Sequence, residues 1–141
     1  CDFDANGFRL PTEAEWEYAC RAGSTTDWHT GNGQLNRESA GWYRANSGDK
    51  THNVGLKIPN DFGLYDMHGN VWEVCWDFWE MDYYSKSPSI DPTGPGFNTG
   101  NYIQRGGSYL DAMPYGAASD RLNASYCNRK NFGFRIVRLT D

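Results

Sequence analysis

The sequence predicts one small domain of the α+β class that is rich in loops and has short strands. The 16 glycines and the aromatic share of 16% favour tight turns between short strands and a core built from aromatic rings. One segment carries a helix-start signal, and another alternates in the manner of a strand. A length of 141 residues suits a single domain.

Charge and hydropathy exclude several classes of partner. The net charge is −5, and no basic run is present, so neither a nucleic acid nor an anionic membrane is an expected partner. No apolar stretch approaches the ~20 residues that span a bilayer. The cysteines form no C-x-x-C pair, and both buried free thiols and disulfides remain open for Cys1, Cys20, Cys75 and Cys127. The oligomeric state does not follow from the sequence.

A helix is predicted over residues 12–22. Thr12 is a good N-cap, and Glu15, three residues later, completes a capping box. Gly23 is the expected stop. We expect the glutamates to cap and solvate the helix rather than to act as catalytic carboxylates. The apolar side chains on one face, which should face the core, are Trp16, Ala19 and Cys20.

A strand is predicted after the glycine turn at Gly69. From Val71 onward large apolar residues alternate with smaller or polar ones. We expect the ring-bearing face to be the packing centre, with Trp72, Trp76 and Trp79 buried or nearly so.

The remaining segments are predicted mostly from turn residues. Residues 24–57 should be mostly loop, fixed to the core by Trp28, Trp42 and Tyr43 and carrying surface histidines. Residues 80–100 contain proline and glycine turns. Residues 102–109 should be a strand entering a glycine turn, residues 110–132 irregular, and residues 134–139 a closing strand.

Four segments in order resemble the formylglycine-generating-enzyme (sulfatase-modifying factor) family. They are FRLPTEAEWEYA at 8–19, FGLYDMHGNVWE at 62–73, RGGSY at 105–109 and GFR at 133–135. The resemblance implies a C-type-lectin-like fold, with one or two helices and short antiparallel strands under long loops. It also implies that residues 1–141 are the C-terminal part of a single such domain, because the family's domains are usually longer on the N-terminal side.

The second of these segments predicts a structural calcium site. Asp66 and Glu73 offer hard oxygen ligands, and a turn between them can direct the backbone carbonyls of Gly69 and Val71 to the same point. Carboxylates and carbonyls without sulfur or imidazole suit calcium. The resemblance implies the same four ligands. The alternative is that Asp66 caps a turn and Glu73 is solvated.

The resemblance also bears on catalysis. Catalytic members of this family oxidise a substrate cysteine with a copper-binding cysteine pair that follows the Gly-Gly-Ser-Tyr motif, and paired thiolates suit Cu(I). Residues 110–121 contain no cysteine, and Cys127 follows alone. We therefore expect a non-catalytic domain. The alternative is a sulfatase-modifying or related oxidoreductase.

Non-catalytic relatives include the variable proteins of diversity-generating retroelements, which vary residues between the Gly-Gly-Ser-aromatic and Gly-Phe-Arg motifs. Residues 110–132 occupy that interval, and they mix apolar, aromatic and short polar side chains. The aromatic and apolar side chains of this interval favour a protein ligand with an extended contact over a sugar pocket, and we expect an extracytoplasmic or cell-surface bacterial location. The predicted ligand-binding residues are Leu110, Asp111, Pro114, Tyr115, Asp120, Leu122, Asn123, Tyr126, Cys127 and Asn128. An ordinary, undiversified loop is the alternative.

Overall fold

The computed structural model describes residues 3, 6–125 and 130–138. Its short elements are separated by long connections. The helices are α1 Glu13–Arg21, α2 Gln34–Ala40 and α3 Tyr83–Lys86; the strands are β1 Phe8–Arg9, β2 Gly41–Trp42, β3 His68–Gly69, β4 Trp72–Phe78, β5 Asn101–Arg105, β6 Leu122–Ser125, β7 Phe132–Gly133 and β8 Val137–Arg138. The predicted α+β, loop-rich class is confirmed.

A four-stranded sheet organises the domain, in the order β6-β5-β4-β7. β4 and β6 flank β5 in antiparallel pairing, whereas β7 runs parallel to β4. Two small ladders complete the fold, the antiparallel β1–β8 and the parallel β2–β3. The predicted antiparallel pattern therefore holds for the longer strands, while two short pairs are parallel.

Helix α1 forms where the capping signals predict it. The Thr12 hydroxyl accepts from the Glu15 amide at 3.2 Å, and the Glu15 carboxylate accepts from the Thr12 amide at 2.8 Å. The chain leaves the helix at Ala22, whose φ of 44° is left-handed. α1 packs against β4 and β5. The buried cluster there consists of Trp16, Cys20, Met67, Cys75, Ile103 and Ala118.

The prediction about the faces of β4 is partly wrong. Trp72 is buried as expected, but Trp76 is only half-buried, as is Trp79 beyond the strand. The fully buried face instead carries Glu73 and Asp77 beside Cys75. Buried polar groups are tolerated where they find hydrogen-bond partners, and both carboxylates find theirs on segments distant in sequence.

Three local predictions also need correction. The 24–57 segment contains α2, whose N-cap, Gly33, makes no side-chain capping hydrogen bond, so the Ser, Thr, Asp or Asn signal of a helix start is missing. Leu122–Ser125 is a strand because it pairs with the free edge of β5. Phe134 lies between β7 and β8 and is 70% exposed, so the closing strand is interrupted there.

Candidate functional site

The candidate binding surface is the loop of residues 110–120, here called the display loop, which follows β5 and a glycine turn. Gly106 and Gly107 have φ values of 92° and 79°, a region that favours glycine. A Cβ on Gly107 would lie 2.9 Å from Cα of Gly116, so the turn lies directly against the loop.

Several predicted ligand-binding side chains are accessible. Leu110 is 43% exposed and Tyr115 is 53% exposed. Pro114 and Asn123 are also exposed, whereas Leu122 on β6 is half-buried. The surface therefore presents apolar and aromatic groups to solvent. Tyr126, Cys127 and Asn128 lie outside the described residues.

The two predicted aspartates have their carboxylates engaged inside the loop. Oδ2 of Asp111 accepts from the Ser108 amide at 2.8 Å and from its hydroxyl at 2.6 Å. Oδ2 of Asp120 accepts from the amides of Gly116 at 2.8 Å and Ala117 at 3.2 Å. Through these hydrogen bonds both carboxylates stabilise the conformation of the main chain. The sequence had predicted them only as ligand-binding residues.

Sequence reasoning missed Arg37, which is buried on α2. Its guanidinium donates to the carbonyls of Asp111 at 3.1 Å, Ala112 at 3.2 Å and Tyr115 at 2.9 Å from Nη2 and 3.2 Å from Nε. Its Cζ lies 3.6 Å from the ring centroid of Tyr43. An arginine in a polar, turn-rich segment gives no sequence signal for such a role.

Arg105, at the end of β5, binds the other half of the display loop. It is fully buried and donates to the carbonyls of Ala118 at 2.8 Å, Ser119 at 3.0 Å and Asp120 at 2.9 Å. Its charge is balanced by an ion pair with Glu17 of α1. The sequence placed Arg105 only as the first residue of a family motif.

Two of the four predicted calcium ligands, Asp66 and Glu73, contact the guanidinium of Arg135. Oε2 of Glu73 accepts from the Trp16 indole at 2.6 Å and from Arg135 Nε at 2.6 Å, and Oε1 accepts from Arg135 Nη2 at 2.7 Å. Arg135 also donates to the backbone carbonyl of Asp66 at 3.1 Å. In this structure the guanidinium therefore binds both oxygens of the glutamate.

The other predicted ligands lie in the same turn. Asp66 has a left-handed φ of 56°; its Oδ2 accepts from the Gly55 amide at 2.7 Å, and its Oδ1 is buried without a partner. Gly69 pairs with Trp42 in β3–β2, and Val71 is half-buried. Within the described residues, no three His, Cys, Asp or Glu side chains form a group that could hold a metal. Calcium at these four positions stays a prediction.

Two buried thiols are held in the protonated form. Sγ of Cys20 lies 3.4 Å from Nε2 of His68, whose Nδ1 donates to the carbonyl of Gly116 at 3.0 Å. Burial raises the pKa of Cys20 to about 12 and lowers the pKa of His68 to about 3. Burial also raises the pKa of Cys75 well above its ordinary value. Neutral thiols of this kind are poor nucleophiles and poor metal ligands.

A cavity of about 340 Å³ lies beside α1 and α3. Glu13 at its edge is bound by Arg121 at 3.0 Å and by the Tyr84 hydroxyl at 2.9 Å. Oδ2 of Asp77 accepts from the Glu13 amide at 2.7 Å, and burial is the largest cause that raises the pKa of Asp77 to about 6. These acids therefore serve the packing of α1 on β4.

The model of the sulfatase-modifying factor enzyme 1-like domain matches residues 4–140 of the chain. The chain belongs to this family. It is 38% identical to the formylglycine-generating enzyme of Streptomyces coelicolor, over 96% of this chain and 43% of that protein. The family predicted from the four motifs is confirmed.

Two solved structures show the same fold. Treponema denticola variable protein 1 matches with a TM-score of 0.84 and 38% identity, over 96% of this chain and 49% of that one. PvdO from Pseudomonas aeruginosa matches with a TM-score of 0.78 and 31% identity, over 93% and 52%. These matches confirm the C-type-lectin-like fold. The chain spans about half the length of the relatives that it matches.

None of the helices in the described part of the chain has the length and apolar character that crossing a bilayer requires.

Proposed function

We propose that this domain is a non-catalytic display domain that binds a protein partner through the exposed side chains of the display loop and of β6. One observation carries the proposal: the main chain of the loop is bound by buried groups while apolar side chains remain in solvent. Besides Leu110 and Tyr115, the loop exposes Met113, whose side chain is 48% exposed. A fixed backbone lowers the entropic cost of binding.

The chemistry of the surface favours a protein over a sugar. Tyrosine supplies a large contact area at low entropic cost, and short polar residues such as Asn123 adapt their hydrogen bonds. The similarity to Treponema denticola variable protein 1 supports a place among the variable proteins of diversity-generating retroelements. In such a protein the exposed loop residues would be the diversified ones.

The alternative function is oxidation of a cysteine in a peptide substrate, which the similarity to a formylglycine-generating enzyme favours. Against it, residues 110–121 contain no cysteine. The buried thiols of Cys20 and Cys75 are protonated at neutral pH. Incubating the purified protein with Cu(I), oxygen and a cysteine-containing peptide tests the alternative, and conversion of the peptide thiol to an aldehyde would establish it.

The binding proposal is tested with two triple variants. The loop variant carries Leu110→Ser, Met113→Ser and Tyr115→Ser. The control carries serine at three other exposed apolar positions, which are Leu35, Val54 and Leu56. A partner is isolated by cross-linking from the source cells, is purified, and is titrated against each protein by calorimetry.

We expect the loop variant to lose at least about tenfold in affinity, because each anchoring side chain can contribute more than ~1 kcal/mol. Its melting temperature should stay close to that of the wild type, because exposed side chains make few native contacts. The control should bind normally. Loss of binding in the control alone would place the interface on the segment before residue 59, and unfolding of the loop variant would show that the loop is core.

The diversification part of the proposal has its own test in the genome. An adenine-rich near-copy of the codons for residues 105–135, next to a reverse transcriptase gene, would establish it. Its absence from the surrounding locus would leave a binding domain with an undiversified loop. The proposed extracytoplasmic or cell-surface location is checked by fractionating the source cells and blotting for the protein.

A further inference from the structure

The contacts of Arg37 and Arg105 with the display loop involve only main-chain oxygens. Arg37 makes four such hydrogen bonds, to residues 111, 112 and 115. Arg105 makes three, to residues 118, 119 and 120. Every residue type carries a backbone carbonyl, so these contacts do not depend on which side chains the loop presents.

Both arginines are pre-positioned by groups outside the loop. The guanidinium of Arg37 stacks on Tyr43, and that of Arg105 pairs with Glu17 and with Glu13 at 3.4 Å. Because both side chains are buried, their hydrogen bonds compete little with water, and bonds from a charged donor are the stronger class. The planar guanidinium can donate to several carbonyls at once, which a lysine ammonium does less well.

Apart from the exposed Pro114, whose ring restricts its own backbone, the loop residues fall into two groups. In the first group the side chain or its absence is needed. Asp111 and Asp120 accept from main-chain amides, and a Cβ on Gly116 would lie 2.5 Å from Cε1 of Tyr43. Ala118 is buried in the cluster around Trp16, and Ala117 is buried in a second cluster with Trp28 and Ala40. In the second group the side chains are exposed: Leu110, Ala112, Met113, Tyr115 and Ser119.

We infer that Arg37 and Arg105 are positioning residues that set the main-chain path of the display loop independently of its exposed side chains. The exposed group can therefore change sequence freely while the anchored group cannot. This inference rests on the proposed display function for its biological meaning. Asp111 and Asp120, which the sequence predicted as ligand-binding residues, therefore belong to the anchored group.

Two libraries test the assignment. One randomises the exposed group and the other randomises the anchored group, which is Asp111, Gly116, Ala117, Ala118 and Asp120. Folded members are counted by protease resistance and sequencing. We expect roughly tenfold more resistant members in the exposed library, because surface changes are usually near neutral while core and capping changes are not. Equal survival of the two libraries would overturn the inference.

A second measurement isolates the arginine. Arg37→Lys keeps the positive charge but loses the planar guanidinium that donates to several carbonyls. Arg44→Lys, at a nearby exposed arginine, is the matched control. We expect hydrogen exchange at the Tyr115 amide, which donates to Ala112 at 3.2 Å, to accelerate about tenfold or more in Arg37→Lys. Exchange at the Trp16 amide in α1 should not change.

The outcomes separate the inference from the proposed function. Unchanged exchange at Tyr115 in Arg37→Lys would overturn the positioning role whether or not a partner binds. Acceleration that is equal at Trp16 would also overturn it, because it would indicate global destabilisation. If Arg37→Lys does not fold, the inference is judged from the comparison of the two libraries. A loop that tolerates variation but binds no protein would contradict only the display function.

Discussion

Replacing Arg135 by methionine should destabilise the domain, because it leaves the Glu73 carboxylate in the interior without its cation. Glu73 is 7% exposed, and Arg135 donates to both of its oxygens. Removing one partner of a buried pair typically costs about 3–5 kcal/mol. The Arg135 side chain is 23% exposed, so water replaces part of the interaction, and we expect about 2–4 kcal/mol.

The assay is thermal and urea unfolding of the wild type, Arg135→Met, Glu73→Gln and the double variant. For a chain of this size a loss of that magnitude lowers the melting temperature by roughly 6–16 °C. The double-mutant cycle should show a coupling energy of about 1–3 kcal/mol. Arg138→Met is the control, since Arg138 is exposed, and it should change stability by only about 0.5 kcal/mol.

The reasoning would be refuted by an Arg135→Met variant no less stable than Arg138→Met. The same experiment also addresses the calcium prediction. If a chelator lowers the melting temperature of the wild type as much as Arg135→Met does, a bound ion rather than the guanidinium neutralises Glu73.

Three further predictions concern Trp72, Asp77 and the calcium site. Trp72→Ala should cost about 3–5 kcal/mol in urea unfolding, because the ring is buried; a change within error would mean that the ring packs against nothing. Raising the pH through the folded pKa of Asp77, about 6, should remove stability that is fully present below its unfolded value of about 3.9. Asp77→Asn keeps an acceptor for the Glu13 amide, so it should be more stable than the wild type at pH 7 with a flatter melting profile between pH 4 and 6; parallel profiles would contradict this. If calcium binds as predicted, Asp66→Ala with Glu73→Ala should abolish any effect of chelator on the melting temperature, and a wild type indifferent to chelator would end that prediction.

The sequence was informative wherever the signal is local. The capping box of Thr12 and Glu15 lies within four residues, and α1 begins there. The glycine turn after β5 requires left-handed backbone, and Gly106 supplies it. The four family motifs identified the fold because each one is a contiguous segment that can be recognised in a single sequence. The start of the loop after Tyr109 was also predicted correctly, but its end was not, because Leu122–Ser125 forms β6.

The tertiary structure decided what lies inside. Arg37 and Asp77 are polar and read locally as solvated residues, yet both are buried. Their partners are distant in sequence: loop carbonyls 74 to 78 residues away for Arg37, and the Glu13 amide 64 residues away for Asp77. The residue pattern of a single segment does not show such a partner. The free energy that offsets the burial of a polar group comes from its interaction with that partner.

The division within the candidate site also became visible only in the folded chain. From the sequence, Asp111 and Leu110 are equally plausible surface residues, since one is polar and the other follows a turn. Only the folded chain shows that the Asp111 carboxylate accepts from Ser108 while Leu110 remains in solvent. The sequence by itself determined the family, the first helix and the start of the loop. Which loop residues support the structure and which stay exposed was decided partly by short-range hydrogen bonds, such as those of Asp111 and Asp120, and partly by distant residues such as Arg37.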